Sequence, residues 1–196
     1  KDLRDGREPL AEACKAANSA QHLSDVMAGT ESGNRMNLET FVQRSYMEKI
    51  LCDANRRFRD MSNGQFELKL INVEDAGEGK NKGLDLEVYS IVTGKTRSVN
   101  TLSGGESFMA ALSLALGMAD QIQAATAAIH LDVMFIDEGF GSLRDNARNE
   151  AVNILKEMAG KQRQIGIISH VSELKDEIEN QLIVKKDARG SHISWR

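Results

Sequence analysis

The sequence is poor in proline, cysteine and aromatic residues. Pro9 is the single proline among 196 residues, and 5% of the residues are aromatic. The two cysteines, Cys14 and Cys52, lie far apart and in no metal-ligand spacing. The sequence therefore predicts reduced thiols, as in a cytoplasmic protein, and gives no sign of a structural zinc site.

Long apolar runs and an excess of positive charge are missing too. No run of about 18 apolar residues occurs, so we expect no contact with a membrane. The net charge of -4 argues against a uniformly basic nucleic-acid surface. The chain begins at Lys1 and shows no signal-peptide pattern, so we expect it to be a piece of a longer protein.

A phosphate-binding P-loop, G-x-x-x-x-G-K-[ST], is also absent. Thr93-Gly94-Lys95-Thr96 imitates its end, but Tyr89 occupies the position of the first glycine. The segment lies between two predicted strands and not before a helix. We interpret it as a hairpin turn.

The hydrophobic pattern that is present changes period along the chain. Helical spacing covers residues 1–28 and an apolar stripe from Leu38 to Met61, and a break follows at residues 62–64. After the break, apolar and polar residues alternate, which predicts antiparallel strands near residues 66–70, 84–90 and 96–100. The pattern divides the chain into a helical part, residues 1–60, and a mixed lobe, residues 61–196.

From residue 101 onward the pattern reads helix, strand, helix, strand, helix, strand. The segments 131–136 and 164–168 are short, apolar and without alternation, as expected for strands covered on both faces of a sheet. The fold class predicted is α/β, with a meander of antiparallel strands feeding an α/β layer.

The segment TLSGGES at residues 101–107 is the first chemical signal. Ser103 and Glu106 fit a capping box for a helix that runs to about residue 128. Gly104 and Gly105 leave backbone N–H groups unobstructed at the positive end of that helix, which suits an oxyanion such as phosphate. A simple glycine-rich cap would look the same.

Two further signals lie at the ends of predicted strands. Asp137 and Glu138 follow an apolar strand, where one carboxylate can hold Mg²⁺ and the other can orient and deprotonate a water. His170 follows the next strand and could sense a γ-phosphate. Each feature alone is also typical of a strand that meets solvent, but their order along the chain is informative.

In that order the chain resembles the ATP-binding-cassette ATPases, and most closely those of the SbcC type in DNA double-strand-break repair. The resemblance rests on TLSGGESF at 101–108, FIDEGFGSL at 135–143 and RQIGIISHV at 163–171, with MSNGQFEL at 61–68 as support. It implies the C-terminal lobe of an ABC-type ATPase head, an incomplete P-loop NTPase fold. Residues 1–60 would be the base of a coiled coil.

The resemblance also implies roles for individual residues. Ser103, Gly104, Gly105 and Glu106 would contact ATP held by a second copy of the head, and Asp137 would bind Mg²⁺. Glu138 would be the general base and His170 the switch. The implied partners are the N-terminal lobe with the P-loop, a second head, an SbcD-type nuclease and DNA.

The match departs from the family at the D-loop, because Ser142 and Leu143 are followed by Arg144 and only then by Asp145. Asp145 could take over the family's aspartate through a change of register. Ser142 and Asp145 also fit a capping box for the helix to about residue 159.

Other functions remain open from the sequence. A chromosome-structural ATPase of the cohesin or condensin kind would have a different stretch after Glu138, and a transporter cassette would have proline there. A purely structural domain is the remaining alternative. DNA contact would fall to basic residues that could equally form a solvated rim, namely Lys80, Lys82, Lys185, Lys186 and Arg189.

Overall fold

The computed structural model describes residues 7–29, 36–72, 83–125, 131–159, 163–188 and 190–196. Its helices are α1 (Arg7–Ala28), α2 (Leu38–Met61), α3 (Gly104–Ala125), α4 (Asp145–Ala159) and α5 (Leu174–Glu177). Its strands are β1 (Phe66–Leu70), β2 (Leu86–Ser90), β3 (Lys95–Ser98), β4 (Val133–Asp137), β5 (Gln164–Ile168), β6 (Leu182–Asp187) and β7 (Gly190–Trp195). Short 3-10 turns cover Val99–Thr101 and Phe140–Ser142.

Helix α2 begins and ends where its local sequence dictates. Asn37 caps its first turn, since the side-chain oxygen accepts from the Thr40 amide at 2.7 Å. At the other end Asn63 and Gly64 adopt positive φ, and the Gly64 amide donates to the Arg59 carbonyl. The predicted break at residues 62–64 is confirmed.

Strands β1, β2 and β3 form an antiparallel sheet beside α2, as expected. The side chain of Asn55 holds β1 to the helix, because it exchanges two hydrogen bonds with the backbone of Leu68. Ser90 pairs with Lys95 across the turn, and Gly94 takes a positive φ there, so the interpretation of residues 93–96 as a hairpin turn is confirmed.

The third strand is shorter than predicted. It ends at Ser98, and the residues expected to extend it to position 100 form a 3-10 turn instead. The Ser98 hydroxyl accepts from the Asn100 amide, and the Thr101 hydroxyl donates to the Ser98 carbonyl. These local side-chain bonds compete with strand pairing.

Helix α3 is the central element of the core. Its backbone approaches α2 so closely that a Cβ atom on Gly117 would lie 2.8 Å from the Ile50 carbonyl oxygen. Among the described residues α3 is also the one helix whose length and composition would suffice to cross a membrane. Its side chains Leu112 and Leu116 are buried in the main core with Phe58, as in the core helix of a folded domain.

Strands β4 and β5 pair in parallel, with Asp137 opposite Ile168. The prediction that both their faces are covered is wrong for this chain. Met134 and Ile136 pack toward the core, whereas Val133, Phe135 and Ile168 are 52%, 72% and 54% exposed. The two strands pair with each other alone among the described residues, so one apolar face meets solvent.

The chain continues with α5 and an antiparallel hairpin of β6 and β7, where a single final strand was predicted. Some expectations lie outside the described residues: the loop at 30–34, most of the turn at 74–83, the end of the α3 helix near 128, and Gly160. Lys80, Lys82 and Arg189 lie outside them as well.

Candidate functional site

The signature loop, residues 101–106, forms the predicted capping box. The Ser103 amide donates to the Glu106 carboxylate at 2.8 Å, and the Glu106 amide donates to the Ser103 hydroxyl at 3.4 Å. Ser103 and Gly104 are exposed. The helix end therefore presents its first N–H groups to solvent, where an anionic group could reach them.

The carboxylate of Glu106 faces its own loop. It accepts from Ser103 and pairs with Arg97 of β3 at 3.3 Å. Partial burial by itself would raise the pKa of Glu106, but the hydrogen bonds from Ser103 and Arg97 outweigh burial and hold the pKa below its ordinary value. Glu106 is accordingly ionised at neutral pH, and its contacts with Ser103 and Arg97 stabilise the loop.

The D-loop, residues 139–145, contacts the signature loop directly. A Cβ atom on Gly105 would lie 2.6 Å from the Ser142 carbonyl oxygen, and one on Gly104 would lie 3.8 Å from the Ser142 Cβ. Leu143 is buried beside Gly105. Glycine is therefore required at position 105 for packing, independently of any nucleotide.

The alternative capping role of Ser142 is wrong. Its hydroxyl donates to the Gly139 carbonyl at 2.7 Å within the 3-10 turn, three residues before the first residue of α4. The first hydrogen bond of α4 is accepted by the Arg144 carbonyl. Asp145 is the first residue of α4, and its exposed side chain pairs with Arg148 at 2.6 Å.

The two predicted catalytic side chains meet at the ends of the parallel strands. Nδ1 of His170 lies 2.8 Å from Oε2 of Glu138. The Glu138 amide donates to the Ile168 carbonyl, which fixes the chain just beyond β4. Asp137 ends β4 with its side chain exposed, so all three groups lie at one sheet edge open to solvent.

The backbone at this edge is unusual. Glu138 adopts φ 58 and Gly139 φ 95, so the chain turns sharply through the left-handed region. A non-glycine residue in that region costs energy and is often found at functional sites. The turn carries the Glu138 carboxylate back toward His170, in place of continuing the strand.

Phe108 and Phe140 join this edge to the signature loop. A Cβ atom on Gly139 would overlap the Phe108 ring, and the Phe108 and Phe140 rings meet edge to face at 5.1 Å. Phe140 is fully buried. Both aromatic residues belong to the sequence motifs given above, but only the structure reveals that they connect those motifs.

A divalent cation at this edge would need oxygen ligands from a bound phosphate in addition to those of the protein. Among the described residues no cluster of three or more His, Cys, Asp or Glu side chains could hold a metal. Mg²⁺ commonly binds through one or two carboxylates together with substrate phosphates and waters. The exposed carboxylate of Asp137 fits that mode of binding.

Comparison with known proteins gives consistent results. Residues 82–157 match a family described as "SbcC/RAD50-like, Walker B motif". This range includes the signature loop, Asp137, Glu138 and the D-loop, and it ends before His170.

Two relatives bear the same name, the C subunit of the nuclease SbcCD. The protein of Vibrio cholerae serotype O1 is 45% identical over 172 residues, which are 87% of this chain and 17% of that protein. The protein of Lactococcus lactis subsp. lactis is 40% identical over 173 residues, 86% of this chain and 16% of that protein. The chain therefore spans about one sixth of the length of these relatives.

The fold is shared with SMC ATPase heads. A structure described under "ATP-driven dimerization and DNA stimulated activation of SMC ATPases" aligns with a TM-score of 0.61 at 19% identity, covering 80% of this chain and 89% of that one. The predicted fold class, a mixed fold of helices and strands with antiparallel strands as in an ATPase head, is confirmed.

Proposed function

This chain carries the SbcC/RAD50-like Walker B segment and resembles the SbcC nuclease subunit along most of its length, and on that premise we propose that it is the C-terminal half of an ATP-hydrolysing head in a DNA-repair nuclease complex. ATP-driven pairing of two heads would control the processing of DNA ends by a partner nuclease. The observation that carries the proposal is the contact between Glu138 and His170, beside Asp137, at the strand edge tied to the signature loop.

Three side chains at that edge have distinct proposed roles. Asp137 would hold Mg²⁺, which, when bound, neutralises phosphate charge. Glu138 would orient the attacking water and take its proton, since a carboxylate within hydrogen-bond reach of that water can act as general base. His170 would contact the γ-phosphate. Its exposed ring can turn away from Glu138 to do so, because 81% of the side chain is accessible.

The signature loop would act on a nucleotide bound by the other head. Ser103, Gly104 and Gly105 would donate to its phosphates from the start of α3, where backbone N–H groups and the helix dipole favour an anion. Glu106 would contribute by shaping the loop. Ser142, Leu143 and Asp145 would carry the D-loop contact across the two heads, with the register altered by Arg144.

The missing P-loop requires a second lobe. The exposed face of β4 and β5, formed by Val133, Phe135 and Ile168 (the β4–β5 face), is apolar and would be covered by that lobe. Residues 1–60 would form the base of a coiled coil, residues 61–196 the lobe itself. The apolar side chains exposed on the first half of α2, among them Phe41 and Tyr46, would receive an SbcD-type nuclease.

We place the assembled protein in the cytoplasm, and DNA is its remaining proposed partner. Lys185 and Lys186 of β6 are exposed and could contact phosphates, together with the basic residues at positions 80, 82 and 189.

The direct test is reconstitution with and without the P-loop lobe. We expect the chain alone to hydrolyse no ATP and the assembled head to hydrolyse it with Mg²⁺. Glu138→Gln in the assembled head should lower kcat by about 100-fold or more, because general-base catalysis contributes 10²–10⁴-fold. Glu173→Gln, which changes an exposed carboxylate on the segment just after His170, is the matched control and should keep full activity.

Strong Mg²⁺-dependent turnover by the isolated chain would contradict the proposal. Equal activity of the Glu138→Gln and parent heads would contradict the role of Glu138.

A chromosome-structural SMC-type ATPase is the alternative, favoured by the likeness in fold. The two functions differ in the partner that binds the assembled protein. A nuclease that co-purifies with it in a fixed ratio supports the repair function, whereas a kleisin in its place would support the SMC-type function.

A further inference from the structure

Arg97 of β3 contacts both ends of the signature loop. Its Nη1 donates to the Thr101 carbonyl at 2.8 Å and to the Thr101 hydroxyl at 3.2 Å. Its Nη2 donates to Glu106 Oε2 at 3.3 Å. The residues proposed to face nucleotide, Ser103 to Gly105, lie between these two anchor points.

The contact with Glu106 reaches Ser103 through a shared atom. Oε2 of Glu106 accepts from Arg97 and also from the Ser103 amide. The Ser103 hydroxyl in turn accepts from the Glu106 amide. The guanidinium therefore fixes the carboxylate that sets the position of the Ser103 backbone, although Arg97 lies before Thr101 and outside the signature motif.

The guanidinium is itself held from the sheet. Its carbon lies 5.3 Å from the centre of the Phe66 ring, and Phe66 is a buried core residue of β1. On the opposite flank the Ser142 carbonyl lies against Gly105. The loop is thus held between the antiparallel sheet, through Arg97, and the D-loop, through Ser142.

We infer that Arg97 is a positioning residue of the signature loop. It holds the donors of Ser103, Gly104 and Gly105 in the geometry that a nucleotide on the second head requires. This inference rests on the proposed function. The role needs the planar fork of arginine, because one lysine ammonium is a single point donor and cannot reproduce contacts with Thr101 and Glu106 from two separate nitrogens.

The test compares Arg97→Gln and Arg97→Lys with the parent protein, in the head assembled with its P-loop lobe. ATP-dependent dimerisation should weaken at least 10-fold in Arg97→Gln, and most of that loss should persist in Arg97→Lys. ATP binding by a single head should stay within two-fold, because the signature loop acts only across the dimer. Arg59→Gln is the matched control, since Arg59 pairs with Glu67 of β1 at 2.7 Å away from the loop. It should dimerise as the parent does.

A second measurement tests the inference without dimerisation. Hydrogen exchange at the Ser103 amide should be faster in both Arg97 variants than in Arg59→Gln, because the acceptor of that amide has lost its anchor. Glu106→Gln should weaken dimerisation by less in Arg97→Gln than in the parent, because part of the effect of Glu106 passes through its contact with Arg97.

The outcomes separate the two proposals. If the parent assembled head fails to dimerise with ATP, the proposed function is wrong, and the exchange measurement still decides the role of Arg97. If the parent dimerises and both Arg97 variants match it within two-fold, the inference about Arg97 is overturned alone. The inference is also overturned if Arg97→Lys weakens ATP binding by a single head as much as it weakens dimerisation. Equal losses would mean that Arg97 supports the fold in general and not the signature loop.

Discussion

Two adjacent glycines in the signature loop have different physical reasons to be glycine. Gly105 lies against the Ser142 carbonyl oxygen, where a Cβ atom would come within 2.6 Å of it. Gly104 has room for a Cβ atom, at 3.8 Å from its nearest neighbour. The glycine at 105 is thus fixed by backbone packing, whereas the glycine at 104 leaves a donor open to solvent.

This contrast predicts the stability of two alanine variants. Gly105→Ala should lower the free energy of unfolding by about 1–3 kcal/mol, the usual cost of overpacking, because the D-loop backbone must move. Gly104→Ala should leave the free energy of unfolding unchanged or raise it. The upper limit is roughly 1 kcal/mol, the amount by which alanine is more favourable than glycine inside a helix. Urea unfolding without nucleotide compares them, and equal stabilities would contradict the reason given for Gly105.

At the scale of elements, the ion pairs that join α2, α3 and β5 are nearly buried. Asp120 of α3 pairs with Arg57 of α2 at 2.5 Å and with Arg163, just before β5, at 3.0 Å. The side chains of Arg57 and Arg163 are 11% and 8% exposed, and Nη1 of Arg163 is buried with no hydrogen-bond partner in the part of the chain that the structure describes. One carboxylate thus compensates two guanidinium groups.

Asp120→Asn should therefore be strongly destabilising. Removing one partner of a buried pair costs about 3–5 kcal/mol, and we expect about 3 kcal/mol because Asp120 is partly exposed. Glu177→Gln is the control, since Glu177 pairs with Lys156 in an exposed bridge that should contribute about 0–1 kcal/mol. Thermal unfolding of the assembled head compares the two variants, and similar midpoints would show that the Asp120 network contributes little.

The sequence was informative about elements wherever the signal was local. Helix α2, the break after Met61 and the capping box at Ser103 follow from spacing and side-chain chemistry, and the structure contains all three. The end of β3 and the cap of α4 were mispredicted, because Ser98 and Ser142 satisfy backbone groups within their own 3-10 turns. The contacts of Arg97 and Phe108 depend on tertiary packing, which spacing along the chain does not encode.

At the scale of the whole molecule, the described residues leave two further apolar surfaces uncovered, besides the one on the first half of α2. One is the β4–β5 face, and the other is the side of the β6–β7 hairpin that carries Val184 and Trp195, which are 63% and 78% exposed. The groups proposed to act on nucleotide lie at the end of β4, and the apolar face beside them is exposed. An exposed apolar patch commonly marks an interaction site, and its place beside these groups is why we assign it to the proposed P-loop lobe.

Phe135 provides the test of that interpretation. Its ring lies across Gly166 of β5 and is 72% exposed, so Phe135→Asp removes little packing within this chain. If the P-loop lobe covers the β4–β5 face, the aspartate has to be buried there, and an unpaired charge would weaken binding of the lobe by several kcal/mol. Assembly and ATP hydrolysis should both be lost, while thermal unfolding of the chain alone changes little. Val92→Asp, in the exposed β2–β3 turn, is the matched control and should assemble normally. A Phe135→Asp chain that still binds the lobe and hydrolyses ATP would mean that another surface receives the lobe, and the bare face would then need a different partner.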